Sequence, residues 1–140
     1  MSKMRRRDWL LLAIGDFMEP IQVQKTMFLF AKRAGAPTTQ QYQFKPYNWG
    51  PYAALIYADL GSLRAEGLIQ LEPHPGGWSA YTTTPEGEQR AGEIRAEAPK
   101  ALVKALDEQR AWVKSRSFRK LLSDVYKAYP EYAERSLFSG

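Results

Sequence analysis

The sequence predicts a mainly helical α+β chain with a small β-hairpin, and three observations predict it. Apolar residues recur at helical spacing in three successive segments before Gly67. The pattern then changes to two short runs of strand-forming residues around a Pro/Gly turn. Helical periodicity returns after Pro85 and continues to Tyr129.

Residues 8–17 read as the first helix. Trp9, Leu12 and Ala13 share one face, and Asp8 lies near the N-terminus, where the helix dipole favours an anion. Gly15, Glu19 and Pro20 end it. Residues 21–34 form the second helix, with Val23, Met27, Phe30, Ala31 and Ala34 on a buried stripe. Gly35 suits the left-handed position that closes a helix, and Pro37 stops it.

Residues 38–50 read as a loop with a short extended piece at 42–44. Pro51 is placed for the first turn of a third helix over 51–66, whose inner face is Tyr52, Ile56, Leu60 and Leu63. Gly67 closes it. Residues 69–72 and 78–83 are two strands around the turn Pro73-His74-Pro75-Gly76-Gly77. Thr84, Pro85 and Glu86 form a helix start: a hydroxyl cap, a proline and an acid. That helix is interrupted near Pro99. Leu102, Val103, Leu106 and Val113 then make a moderate stripe, and Phe118, Leu121, Leu122, Val125, Tyr126 and Tyr129 a regular one between Ser117 and Pro130.

Three helices, a hairpin and further helices is the chain order of a winged helix-turn-helix. The expected organisation is a winged-helix domain over 1–98, with a helical extension over 99–140 packed on it as one unit. A length of 140 residues suits a single domain.

There is no cysteine, which excludes disulfides, thiolate metal sites and cysteine nucleophiles. A reducing, cytoplasmic location fits that composition. Arg5, Arg6 and Arg7 before an apolar stretch resemble the start of a signal peptide. The apolar stretch is only about seven residues long and ends at Asp16 without a cleavage site, so it reads as the first amphipathic helix. No run approaches the roughly 20 apolar residues of a membrane span, so the expectation is a soluble protein with no membrane partner.

Catalysis is disfavoured. His74 is the only histidine and sits in a Pro/Gly turn, without sequence neighbours suited to activate it. One histidine and no cysteine make a poor metal site. Glu86, Glu88 and Glu93 lie at or near a helix start, where acids stabilise the dipole. Gly76-Gly77 belongs to a turn, not to a strand-to-helix phosphate loop. No cofactor is expected.

The runs FKPYNWGPYAALIYADLGSLRAEGLIQ (44–70) and YTTTPEGE (81–88), with VQKTMFLFAKRAG (23–35) and VYKAYPEYAERS (125–136), carry a resemblance. They resemble an uncharacterised prokaryotic winged-helix protein family with a K-x-x-F-L second helix, an aromatic F-x-P-Y-x-x-G-P-Y/F turn and an L-x-x-x-G-L-I helix exit. The chain is more distantly similar to the Panacea (SocA-like) domain of antitoxins and a proteolysis adaptor. The resemblance implies a winged helix and, by analogy, DNA-linked regulation or toxin neutralisation. Two positions depart from the pattern. Gly61 interrupts the third helix, at a cost of about 1 kcal/mol relative to alanine, and Thr83 replaces an apolar strand residue.

Charge is unevenly placed. Residues 1–45 hold eight basic and three acidic residues, residues 46–98 three and seven, and residues 99–140 nine and five. The overall +5 favours an anionic partner, yet the third helix carries no basic residue before Arg64. Two readings follow. In the first, the chain is a DNA-binding transcriptional regulator of the prokaryotic kind. Its duplex-facing candidates are Arg5, Arg6, Arg7, Lys25, Lys32, Arg33, Lys45, Asn48, Trp49, Tyr57, Arg64 and His74, with Lys3, Lys114, Arg116, Arg119 and Lys120 adding attraction. Asn48 and Trp49 stand at the third helix's N-terminus, whose free N–H groups suit a phosphate. In the second, the scaffold is a protein-binding module, an antitoxin or adaptor, that uses Trp49, Ala53, Tyr57 and Trp78. Phe44 and Tyr52 are assigned to packing between the second and third helices. Phe118, Leu121, Leu122 and Val125 either complete the core or pair two copies in a homodimer.

Overall fold

In the computed structural model, which describes residues 4–138, six helices alternate with two small hairpins. They run in the order α1 (Arg6–Ile14), α2 (Pro20–Arg33), β1 (Lys45–Tyr47), β2 (Gly50–Tyr52), α3 (Ala54–Ala65), β3 (Ile69–Pro73), β4 (Ser79–Thr83), α4 (Pro85–Glu97), α5 (Lys100–Lys114) and α6 (Phe118–Ala128). Short 3₁₀ turns occupy Thr38–Gln40 and Pro130–Ala133. The chain is therefore mainly helical with small antiparallel hairpins, an α+β arrangement. Lys3 lies outside the described residues.

The helix starts follow local chemistry. Asp8 accepts from the backbone N–H of Arg5 at 2.9 Å, and Gln22 accepts from that of Glu19 at 2.9 Å. Thr84 caps α4 by accepting from Gly87 N–H at 3.0 Å, and Ser117 caps α6 by accepting from Lys120 N–H at 3.2 Å. Pro20 and Pro85 occupy first turns, where a missing N–H costs nothing.

Residues 42–44 do not form the extended piece expected of them; the strand begins at Lys45. Pro51 lies not in α3 but in β2, opposite Pro46, and α3 starts at Ala54. A proline suits a helix's first turn and a short edge strand equally, since neither requires its N–H. Gly50 decides the outcome. Its φ of +91° lets the chain reverse at Asn48 and Trp49, and Tyr47 then pairs with Gly50.

α1 is buried along almost its whole length and packs against α2, α3, α4 and α5. Trp9 contacts Phe30 with ring centroids 5.0 Å apart and donates its indole N–H to Gln40. The second hairpin is tied to the loop after α1 by paired backbone bonds between Met18 and Tyr81, at 2.9 and 2.7 Å. α5 lies along α2, and Arg110 donates to the carbonyls of Ala13 and Ile14 and to Asp16.

A second apolar cluster joins Phe28 and Leu29 of α2 to Val113, Leu121 and Val125. Leu122 is fully buried as well. Leu121, Leu122 and Val125 thus complete the core of the chain itself and are not available to a second copy. Only Phe118 of that proposed dimer surface is exposed.

Candidate functional site

The first hairpin packs on α2, α6 and the 3₁₀ turn after it, and a mostly apolar cleft of about 270 Å³ lies between the hairpin, α2 and Tyr57 of α3. Tyr47, Trp49, Gly50 and Tyr52 come from the hairpin, Pro20, Ile21, Gln24 and Lys25 from α2, and Tyr57 from α3. Tyr47 stacks on Tyr52 at 4.7 Å, and Tyr52 approaches Tyr57 at 6.0 Å. Trp49 rests edge-on against Phe118 at 5.7 Å. Although held in this way, Tyr47, Trp49 and Tyr57 each keep at least 40% of their surface in solvent, as does Leu55 on α3. Three large, partly exposed aromatic side chains around one cleft form a patch of the kind that marks interaction surfaces.

The inner side of the cleft is polar but enclosed. Gln24 donates to Ala53 C=O at 3.1 Å and accepts from its N–H at 2.9 Å, which fixes the entry to α3. Lys25 is only 3% exposed and donates to the carbonyl of Pro51 at 3.1 Å. Burial pushes its pKa down to about 7. Gly50 is required here for its conformation, and the space beside it is tight, since a Cβ would stand 3.2 Å from Lys25 Cε. Burial, and then the neighbouring Tyr81 and Tyr52, raise the pKa of Tyr57.

The DNA-facing candidates are distributed differently from the sequence expectation. Lys25 is removed from the surface: α2 is enclosed by α1, α5 and β2, so all residues from Val23 to Phe30 are buried and no polar face remains. Arg5, Arg6 and Arg7 share a shallow depression with Met4, Thr39 and Asp59. Within this region Arg5 pairs with Asp8 at 3.6 Å, Arg7 with Glu66 at 2.5 Å, and Arg6 lies over the Tyr42 ring. Lys32 and Arg33 face the C-terminal helices instead: Lys32 lies over Tyr132, and Arg33 over Trp112 while donating to Gln109. Lys45 and Arg64 are exposed, and Asn48 is half-buried in the first hairpin's turn.

Of the partner-binding candidates, Trp49 and Tyr57 meet at the cleft. Ala53 does not contribute, because it is buried with both backbone groups held by Gln24. Trp78 is exposed but belongs to the other hairpin, where His74 stacks on it at 4.0 Å and Phe17 packs edge-on. His74 Nε2 is buried there without a hydrogen-bond partner. Phe44 packs as expected, edge-on to Phe28 at 5.4 Å. Tyr52 is half-buried and also lines the cleft.

Tyr47 and the buried state of Lys25 escape a reading by periodicity, because the hairpin that juxtaposes them is set by Gly50. Among the described residues, no cluster of His, Cys, Asp and Glu could hold a metal ion, and no helix is long and apolar enough to cross a membrane. No protein-family model, curated protein or solved structure matches the chain.

Proposed function

We propose that this chain is a non-enzymatic protein-binding module on a winged-helix scaffold, with the aromatic cleft between the first hairpin, α2 and α3 as its docking site. In this reading the hairpin β3–β4 is the wing, and the chain acts in the cytoplasm, a compartment that suits a sequence without cysteine. One observation carries the proposal. The surface where a DNA reader would carry its contacts presents Tyr47, Trp49, Leu55 and Tyr57 to solvent, while Lys25 is buried beneath it. Exposed tryptophan and tyrosine beside a concave apolar surface match the composition of protein hot spots. The sequence resemblance to an antitoxin- and adaptor-associated domain points the same way.

A second reading, a DNA-binding transcriptional regulator, is favoured by the gathering of Arg5, Arg6 and Arg7 at one depression and by the net charge of +5. It rests on few unpaired cations, since Arg5 and Arg7 already face carboxylates. Affinity for duplex DNA scales with the number of phosphates neutralised.

Affinity capture with quantitative mass spectrometry separates the two. The module reading expects a stoichiometric partner that is lost on Trp49→Ala or Tyr57→Ala, with little retention on random duplex DNA. Capture unaffected by those changes, together with salt-sensitive DNA retention lost on reversing Arg5, Arg6 and Arg7 to glutamate, would establish the regulator instead.

A further inference from the structure

Two polar side chains of α2, Gln24 and Lys25, line the enclosed side of the cleft, and they differ in how far the chain satisfies them. Gln24 uses both ends of its amide on Ala53. Lys25 carries three donors, and among the described residues its one hydrogen-bond acceptor is the carbonyl of Pro51, at 3.1 Å. None of the ion pairs among the described residues includes it. No carboxylate lines the cleft either. The titratable groups there are the phenols of Tyr47, Tyr52 and Tyr57, with Tyr126 on the far side of Gly50. Buried ammonium groups are almost always paired, because an uncompensated charge in a low-dielectric site is costly.

We propose that the cleft receives an aspartate or glutamate side chain from a partner protein, which pairs with the Lys25 ammonium while apolar neighbours in the same segment lie against Tyr47, Trp49 and Tyr57. This inference rests on the protein-binding reading above and names the chemistry that the docking site selects. The size of the cleft suits one acidic side chain with part of an adjacent apolar one. A segment docked against the aromatic walls would exclude water from the cleft, which strengthens a charge-assisted hydrogen bond relative to one at an open surface. Specificity follows from the same groups, since a segment offering an amide or a lysine at that point leaves the ammonium uncompensated or repelled. With its pKa near 7, Lys25 gains a proton as the carboxylate arrives above that pH, so binding tightens as the pH falls toward 7 and levels off below it.

The probe is a peptide selected from a random twelve-residue library on the immobilised full chain. We expect the selected peptides to carry aspartate or glutamate beside an aromatic or aliphatic residue. Replacing that acid by its amide, or Lys25→Met in the protein, should weaken binding at least tenfold, and affinity should rise between pH 8.5 and pH 6. Should Lys25→Met fail to fold, the peptide's amide variant and the pH series decide the matter alone. Failure to select an acidic peptide, or affinity indifferent to the acid and to Lys25, overturns the inference. Non-acidic peptides that still require Trp49 overturn it while leaving the docking site intact; peptides indifferent to Trp49 and Tyr57 overturn both.

Discussion

Lys25 reaches from the middle of α2 to the carbonyl of Pro51, 3.1 Å away, and so tethers a buried ammonium to the hairpin that carries Tyr47 and Trp49. The helix and the hairpin are 26 residues apart in sequence at that contact, and the apolar cleft lies between them.

That tether has a cost with a defined pH dependence. Lys25 has a pKa of about 7 when folded, against 10.5 when exposed, so the unfolded chain binds more protons between those values. Stability therefore rises with pH from about 7 to 10.5, and the full burial cost, on the order of 5 kcal/mol, applies below 7. Lys25→Met should raise the unfolding free energy at pH 7 by about 1–3 kcal/mol, less than the full cost because Pro51 loses its donor. Urea unfolding at several pH values checks this, and the gap between the two proteins should narrow as the pH rises.

Tyr42 is buried and donates to Asp59 at 2.7 Å, linking the segment after α2 to α3. Burial, followed by the Asp59 carboxylate, holds its phenol well above the usual pKa. Tyr42→Phe leaves the carboxylate without that donor and should cost about 1–2 kcal/mol, read by thermal or urea unfolding.

Gly87 sits in the first turn of α4 against the carbonyl of Leu68, and a Cβ there would run into that oxygen and into Thr83. Backbone cannot move aside as a flexible side chain can. Gly87→Ala should lower stability by more than about 3 kcal/mol, whereas Gly61→Ala, in open space on α3, should raise it by up to about 1 kcal/mol.

Trp49→Ala and Tyr57→Ala remove exposed rings and should each change stability by no more than about 1 kcal/mol. Circular dichroism and urea titration of both variants should therefore match the parent closely even where partner capture is lost.

The sequence made the helices legible because their caps and stripes are local. Thr84-Pro85 and Ser117 start helices where expected, and Val23, Met27 and Phe30 point into the core. The first hairpin was not legible, since Pro51 fits a helix start and an edge strand alike and only the pairing with Pro46 distinguishes them. Lys25 misleads for a related reason. A lysine in an apolar run normally marks the wet face of a helix, but α2 has neighbours on every side and no wet face between Val23 and Phe30. Leu121, Leu122 and Val125 fit a core or a dimer equally well by pattern, and the contacts of α6 with α2 and the first hairpin assign them to the core. Trp49 and Tyr57 were recognisable as contact residues; their meeting with Tyr47 at one cleft was not, because that depends on the turn at Gly50.

Quantitative capture by the parent chain and by Trp49→Ala and Tyr57→Ala, run beside retention on random duplex DNA, tests the docking proposal most directly. The expected result is a stoichiometric protein partner for the parent, at least tenfold less for either variant, and DNA retention that the two substitutions leave unchanged. A partner captured equally by all three, or none captured while duplex DNA is held and then released on reversal of Arg5, Arg6 and Arg7, would contradict it.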